Sequence, residues 1–282
     1  MYTLRDYSSV VDLSPYPRPQ MLNEEERLSA TDALLKYLLR ERGMIAAFSA
    51  TPEKKRALVR GYMNERPAHP ISADIIALQD RLFWTESVQK GIVSADAFDY
   101  GDRGMALWEG DITRLDADAI VNAANRGLLG CFLPNHNCID NAIHSAAGMQ
   151  LRDDCAKIIA AQGHEENVGD CKLTRAYNLP CRYVLHTVGP MIRREVSDDE
   201  RSMLRSCYIS CLDAAAAAGL GTVAFCCIST GVFNFPRAEA AEIAVGAVVR
   251  WKLRHPQSNV RVVFNTFLKE DTEIYRNILS MV

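Results

Sequence analysis

Ala119-Ile120-Val121-Asn122-Ala123-Ala124-Asn125 is the stretch on which the reading of this chain turns. Ala119 to Val121 is strand-like, and two amides flanking small residues follow it directly. Small residues let the backbone approach a ligand closely, and an amide both donates and accepts, which suits sugar hydroxyls. Taken alone, the two asparagines also fit an ordinary turn.

The same rhythm continues on both sides. Met105 to Glu109, Tyr183 to Thr187, Thr222 to Cys227 and Val260 to Phe264 are strand-like. Helical stretches at Ile139–Ala147, Leu151–Gln162, Asp198–Ala218, Arg237–Leu253 and Glu270–Leu279 lie among them. Such alternation predicts a largely parallel sheet with helices on both faces, and ligands on such sheets bind in the loops at the carboxyl ends of the strands. Residues 1–103 differ. They carry no glycine-rich loop, and helices are expected over Asn23–Arg42, over Lys54–Met63 and, capped by Ser72, through Phe83. Asp99 to Gly104 is a turn-rich joint. The chain therefore divides into a small helical domain, 1–103, expected to pack as a stabilising cap, and an α/β domain, 104–282.

At 282 residues, with 48% hydrophobic and 24% charged side chains, the chain can bury a core without disulfide staples. A formal net charge of −3 and no long basic run argue against general nucleic-acid binding, so an anionic ligand must be held by local backbone N–H groups. Nine cysteines, scattered or within expected core segments, suggest free thiols in a reducing compartment. No apolar run is long enough to span a membrane, and a cytoplasmic protein is expected.

Four segments carry chemistry. Asp111, in Glu109-Gly110-Asp111-Ile112-Thr113, follows a strand and could accept from an exocyclic amine or simply cap a turn. Asn122 and Asn125 form the second segment. In the third, Gly130 to Asp140, Cys131, His136 and Cys138 fall within eight residues. Thiolate and imidazole are the preferred ligands of Zn²⁺, and three of them leave one position for water or substrate. Chance clustering of packing cysteines is the alternative. Cys138 also begins a helix, whose dipole would favour its thiolate. The fourth, Ser229-Thr230-Gly231-Val232-Phe233-Asn234-Phe235-Pro236, joins a strand to a helix. Its successive N–H groups can form a phosphate nest, with Phe233 or Phe235 packing against a sugar. It lacks the Gly-Lys-Ser/Thr ending of a phosphoryl-transfer loop.

In order and spacing these segments resemble macrodomains. Gly110 to Thr113, Ala119 to Asn125, Ile139 to Gly148, His186-Thr187-Val188-Gly189-Pro190 and Ser229-Thr230-Gly231 carry the resemblance over about residues 105–282. It implies a three-layer α/β/α sandwich with a mixed, largely parallel sheet. Cys131, His136 and Cys138 stand in a stretch that is glycine-rich in many macrodomains. That departure, with the helical N-terminal part, resembles the zinc-containing subgroup of protein-ADP-ribose hydrolases. A second departure is Asn234, where many relatives have glycine; asparagine tolerates the left-handed region.

By this resemblance Asp111 and Ile112 should meet adenine, and Asn125 the distal ribose. Ser229, Thr230, Gly231, Val232 and Phe233 should hold the diphosphate and nearby ribose, with Cys138, Ile139 and Asp140 lining the distal ribose and phosphates. Asp140 is the candidate general base, assisted by Asn125, unless it is only a first-turn helix carboxylate. His144, one turn on, is expected to be a satisfied core histidine. The implied reaction is zinc-dependent release of ADP-ribose from mono-ADP-ribosylated protein, with ester links to Asp or Glu, by a monomer. A non-catalytic ADP-ribose reader and a binder or hydrolase of another nucleotide metabolite are the alternatives. Every expected contact lies within 105–282, so that part alone is expected to bind ADP-ribose.

Overall fold

A computed structural model describes residues 3–45 and 50–282. The helical part comprises α1 (Leu4–Tyr7), α2 (Glu24–Glu41), α3 (Pro52–Glu65) and α4 (Ala73–Lys90). There follow β1 (Val93–Ser94), β2 (Met105–Glu109), β3 (Leu115–Asp116), β4 (Ala119–Ala123), α5 (Ile139–Ala147), α6 (Met149–Gln162), β5 (Cys171–Arg175) and β6 (Tyr183–Thr187). The chain closes with α7 (Asp198–Ala217), β7 (Thr222–Phe225), α8 (Arg237–Arg254), β8 (Arg261–Thr266) and α9 (Lys269–Leu279).

The main sheet has the order β2-β8-β7-β4-β6-β5. Every pairing is parallel except β5 with β6. Strand β4 sits inside it with Ala119, Ile120 and Val121 fully buried, as expected of a strand covered on both faces. Asp118 sets its register against β7, its carboxylate accepting from the N–H groups of Gly221 (2.8 Å) and Thr222 (3.0 Å). Helices α7, α8 and α9 pack together on one face, α5 and α6 on the other. This is the expected mixed, mostly parallel α/β architecture.

Two local expectations need correction. The antiparallel edge strand β5 was not foreseen, because Cys171-Lys172-Leu173-Thr174-Arg175 has charged residues where a strand in a covered sheet should be apolar. Lys172 is nevertheless fully buried and paired with the equally buried Glu166 at 2.5 Å, which lets a charged residue stand there. Ser72 does occupy the cap position of α4, but its side chain makes no capping hydrogen bond. Asn23 and Glu26, at the start of α2, form the reciprocal box instead, at 2.9 Å each way.

Helices α2, α3 and α4 share their own apolar core around Leu34, Leu38, Val59 and Leu82, which Met149 of α6 joins. Buried polar groups weld this layer to the sheet's helices. Gln79 of α4 accepts from the Met149 N–H (2.9 Å) and donates to Gln150 (2.6 Å), while Asp80 accepts from Gln150 (2.9 Å) and Asn178 (2.7 Å). Gly148, between α5 and α6, makes that weld possible. Its φ of 109° and ψ of 174° suit glycine alone, and a Cβ there would lie 2.5 Å from Gln79 Nε2. Gly148→Ala should therefore lower the unfolding free energy by about 2–4 kcal/mol, combining backbone strain with a displaced buried amide. Urea unfolding measures it; a loss below about 0.5 kcal/mol would show that the joint relaxes freely.

Candidate active site

All five parallel strands end at the same edge, so the loops that follow them converge there. They enclose two adjoining cavities, each of about 670 Å³, within the usual range for small-molecule sites. The cavities share Asn137, Cys138, Ile139, Asn265 and Phe267.

Asp140 lies at the first cavity, in the first turn of α5, and is 5% exposed. Asn122, at the end of β4, donates to its Oδ1 (2.8 Å), and Asn125 donates to its Oδ2 (3.2 Å) and to the Gly130 carbonyl (3.0 Å). Burial pushes the Asp140 carboxyl up to about 6, against the opposing pull of the Asn122 hydrogen bond and the Arg152 charge. Behind it, Asn122 Nδ2 also lies 3.1 Å from His186 Nδ1. An amide nitrogen only donates, so Nδ1 accepts and Nε2 carries the proton toward Thr174 Oγ1 at 2.9 Å. Burial depresses His186 to about 3, so this imidazole is neutral.

His144 is a core residue as expected, but it is not satisfied. Neither ring nitrogen has a hydrogen-bond partner among the described residues, and Asp140 Oδ1 stands 3.5 Å from Nε2. Burial, reinforced by the Arg152 charge, holds it well below the usual histidine range. Gly130, with φ of +78°, lies flat on its ring; a Cβ there would come within 2.8 Å of His144 Cγ.

Cys131, His136 and Cys138 are brought together by the loop into α5. Their donor atoms all lie within 4.8 Å of one another, with Cys131 Sγ 3.5 Å from His136 Nδ1. The soft, partly exposed donor set suits zinc. The N–H of Asn141 at the helix start does pull the Cys138 thiol down, as expected of a helix terminus, but burial, reinforced by Cys131, outweighs it and pushes the thiol up to about 11. Without metal Cys138 is a thiol, so a metal must displace its proton. A second trio, His144, Cys155 and His186, also falls within 4.8 Å, but both nitrogens of His186 are already committed.

Across the cavity runs the loop from Ser229 to Phe233. Ser229 (φ 66°) and Asn234 (φ 56°) are left-handed, the latter as anticipated for an asparagine replacing glycine. The N–H groups of Asn234 and Phe235 are spent on Gly231 and Ser229 carbonyls (3.0 and 2.9 Å). Those of Gly231, Val232 and Phe233 have no backbone partner among the described residues. This is the arrangement a nest for anionic oxygens requires. Phe233 lines the cavity, whereas Phe235 is 2% exposed and packs in the core, so only Phe233 can meet a sugar. Gly189 is indispensable beneath this loop, since a Cβ there would lie 2.0 Å from Ser229 Oγ.

Asp111 and Ile112 lie apart from the others, at the second cavity. Asp111 Oδ1 accepts from the Thr113 N–H (3.0 Å) and hydroxyl (2.7 Å), and the carboxylate forms an ion pair with Lys90 of α4. Burial opposes ionisation, but Lys90 and Thr113 hold the carboxyl below its ordinary value. Lys90, with Arg56 and Arg60 of α3, lines this cavity. The helical part therefore forms one wall of this cavity, which the sequence reading did not foresee. No sequence signal marks these cations, nor Phe267, which is 73% exposed between the cavities.

The family model for the Macro domain matches residues 121–244. A protein-ADP-ribose hydrolase of Treponema medium is 46% identical over 253 residues, spanning 88% of this chain and 97% of the relative. One from Staphylococcus aureus is 46% identical over 262 residues, spanning 90% and 98%. Among solved structures, the Trypanosoma brucei macrodomain in complex with ADP-ribose is similar with a TM-score of 0.60 at 31% identity, covering 82% of this chain and 97% of that one.

The raised pKa of Asp140 has a consequence for stability. As pH rises from about 4 to about 6, the unfolded chain loses this proton before the folded one does, so stability falls over that window. The contribution is on the order of 3 kcal/mol. Asp140→Asn should abolish this part of the pH dependence in urea unfolding, and an identical profile in the variant would show that Asp140 titrates normally.

Proposed function

This chain belongs to the macrodomain family and is an ADP-ribosyl hydrolase, and from that premise we propose that it releases ADP-ribose from mono-ADP-ribosylated protein, with zinc held by Cys131, His136 and Cys138. We assign the hydrolase site to residues 104–282, with 1–103 as a helical extension. The observation that carries the reading is the position of Asp140: a buried carboxyl, clamped by two amides, facing a cavity that also holds the metal-ligand trio and the row of N–H groups.

In this reading Gly231, Val232 and Phe233 present N–H groups to the diphosphate, with Ser229 and Thr230 completing the loop. Asp111 and Ile112 take adenine at the second cavity. Asn125, Ile139 and Asp140 surround the distal ribose. Water attacks C1″ of that ribose, the bond from C1″ to the side-chain oxygen of Asp or Glu breaks with its electron pair going to that oxygen, and free ADP-ribose and a carboxylate result. Asp140, ionised above its value near 6, aligns the water and accepts its proton. Cys131, His136 and Cys138 would hold a zinc ion that, when bound, would supply Lewis acidity and help to position a ribose hydroxyl, tempered by the charge of two thiolates.

A simple reader of ADP-ribose would need no base. Asp140→Ala should lower turnover by ~10²–10⁴-fold, the usual weight of general acid–base catalysis, with ADP-ribose affinity changed only a few-fold. Release of ADP-ribose from defined Asp/Glu-, Ser- and Arg-linked substrates is the measurement. Unchanged turnover removes Asp140 as the base, and turnover confined to the Ser or Arg links overturns the ester assignment.

The metal has its own test. Purified protein should hold about one zinc per chain, lost on replacing Cys131, His136 or Cys138 by alanine and kept on replacing Cys207, which is buried in α7 away from the loop. Chelation should stop turnover and leave the circular dichroism spectrum nearly unchanged, because the core is independent of the metal. Full activity in metal-free protein would refute the zinc role.

A further inference from the structure

The loop carrying Cys131, His136 and Cys138 has almost no structure of its own. Between Leu133 and Cys138 its one internal backbone bond is from the His136 N–H to the Leu133 carbonyl, 3.2 Å, and Asn135 stands in the left-handed region at φ 54°. Apart from the Cys131 Sγ–His136 Nδ1 contact (3.5 Å), the other restraints come from outside the loop. Asn64 of α3 accepts from the Asn135 N–H (2.9 Å). Arg60, one turn earlier, donates to the His136 carbonyl (3.2 Å). Asn141 of α5 donates through its side chain to the Leu133 carbonyl (3.0 Å) and through its backbone to Cys138 Sγ (3.4 Å).

Asn141 is itself set by α3. Its Oδ1 accepts from Arg60 Nε (3.2 Å) and from an Arg60 terminal nitrogen (2.8 Å), and also from Ser145 Oγ (3.1 Å), which in turn accepts from Asn64 (3.0 Å). Between Arg60 and Asn64 the helix shows Gly61, where a Cβ would stand 3.1 Å from Asn135 Nδ2 and 3.6 Å from Pro134 Cβ. The helix thus touches the loop with backbone as well as side chains.

We propose that Arg60 and Asn64 are positioning residues: acting partly through Asn141, they hold the loop in its ligand-presenting shape before a metal arrives. This rests on the zinc reading above for its consequence in metal binding, but the loop shape is testable without metal. Groups that orient metal ligands from outside the coordination sphere typically weigh 10–100-fold in affinity, by fixing ligand geometry in advance. The helical extension then serves as more than a cap, and the α/β part expressed alone would lack a restraint on its metal ligands.

The test uses the full chain. Hydrogen exchange over residues 131–138 is followed in metal-free protein, and zinc affinity is measured by chelator competition. The variants are Arg60→Ala, Arg60→Lys, Asn64→Ala and Asn64→Asp. Arg42→Ala serves as control, since it removes the Arg42–Glu65 ion pair (2.8 Å) within the helical layer without touching the loop. Arg60→Ala and Asn64→Ala should quicken exchange in the loop and weaken zinc by about 10–100-fold. Arg60→Lys should recover part of both. Asn64→Asp, which keeps the acceptor for the Asn135 N–H, should recover exchange protection, and Arg42→Ala should change neither readout. Wild-type exchange and affinity in both alanine variants, or an equal effect of Arg42→Ala, would overturn the proposal. Should an alanine variant fail to fold, the lysine and aspartate variants carry the same comparison. Wild-type protein that takes up no zinc would overturn the metal reading, while the exchange data would still judge the buttress.

Discussion

A carboxyl group almost removed from water must be held by dipoles, and much of this molecule is arranged around that requirement at Asp140. Burial alone would keep it protonated near neutrality. Two amide donors, the first turn of α5 and the charge of Arg152 offset part of that cost. Asn122 can donate from the end of β4 only because β4 lies inside the sheet and stops at the edge where the loops gather. His186, on the neighbouring strand, fixes the second hydrogen of the same amide. The sheet therefore serves as a jig for one ionisable group, poised where a modest change of environment changes its charge.

How much of this could be read in advance follows the range of the interactions. The strands and helices of 104–282 were legible because apolar runs and helical periodicity are local signals. Asn125 and the Ser229–Phe233 loop were legible from their places at strand ends, and Asp140 through the resemblance to macrodomains; all of them line the first cavity. The proximity of Cys131, His136 and Cys138 was legible from spacing within one loop. Failures came where a distant partner decides. Lys172 belongs to a strand only because Glu166 meets it in the interior. Cys138 was expected to ionise from its helix position, but its burial depends on the surrounding fold. Phe235 carried the same composition cue as Phe233 and points the other way. Lys90, Arg60 and Asn64 lie on helices whose periodicity explains their apolar neighbours and says nothing of what the polar faces touch.

The two cavities differ in electrostatic character. The first is walled by thiols, apolar and small residues and N–H groups, and its charged groups are Asp140 and the Arg237–Asp271 ion pair. The second is bounded by Lys90, Arg56 and Arg60, and its one aspartate, Asp111, is already paired. A group that would donate a hydrogen bond to Asp111 must come to terms with Lys90, so recognition there is an exchange of partners rather than the filling of an empty acceptor. Glu86 restrains Arg56 through a two-pronged contact of 2.7 and 2.8 Å, and Arg60 is held by Asn141 and the His136 carbonyl, so Lys90 is the cation left to respond.

Among the described residues, five other than glycine adopt positive φ, and Leu128, Asn135, Ser229 and Asn234 all lie in the two loops that face each other across the first cavity. For Leu128 and Ser229, one in each loop, this costs about 1–2 kcal/mol locally, and less for the two asparagines, so neither loop adopts its shape by inclination. The shape is imposed by the sheet, by Gly189 and by α3. A peptide copied from either loop and grafted onto another scaffold would relax away from it. What a lineage inherits at this site is therefore a conformation enforced from a distance, and drift in residues that never touch a ligand can erode it as surely as a change in the loops themselves.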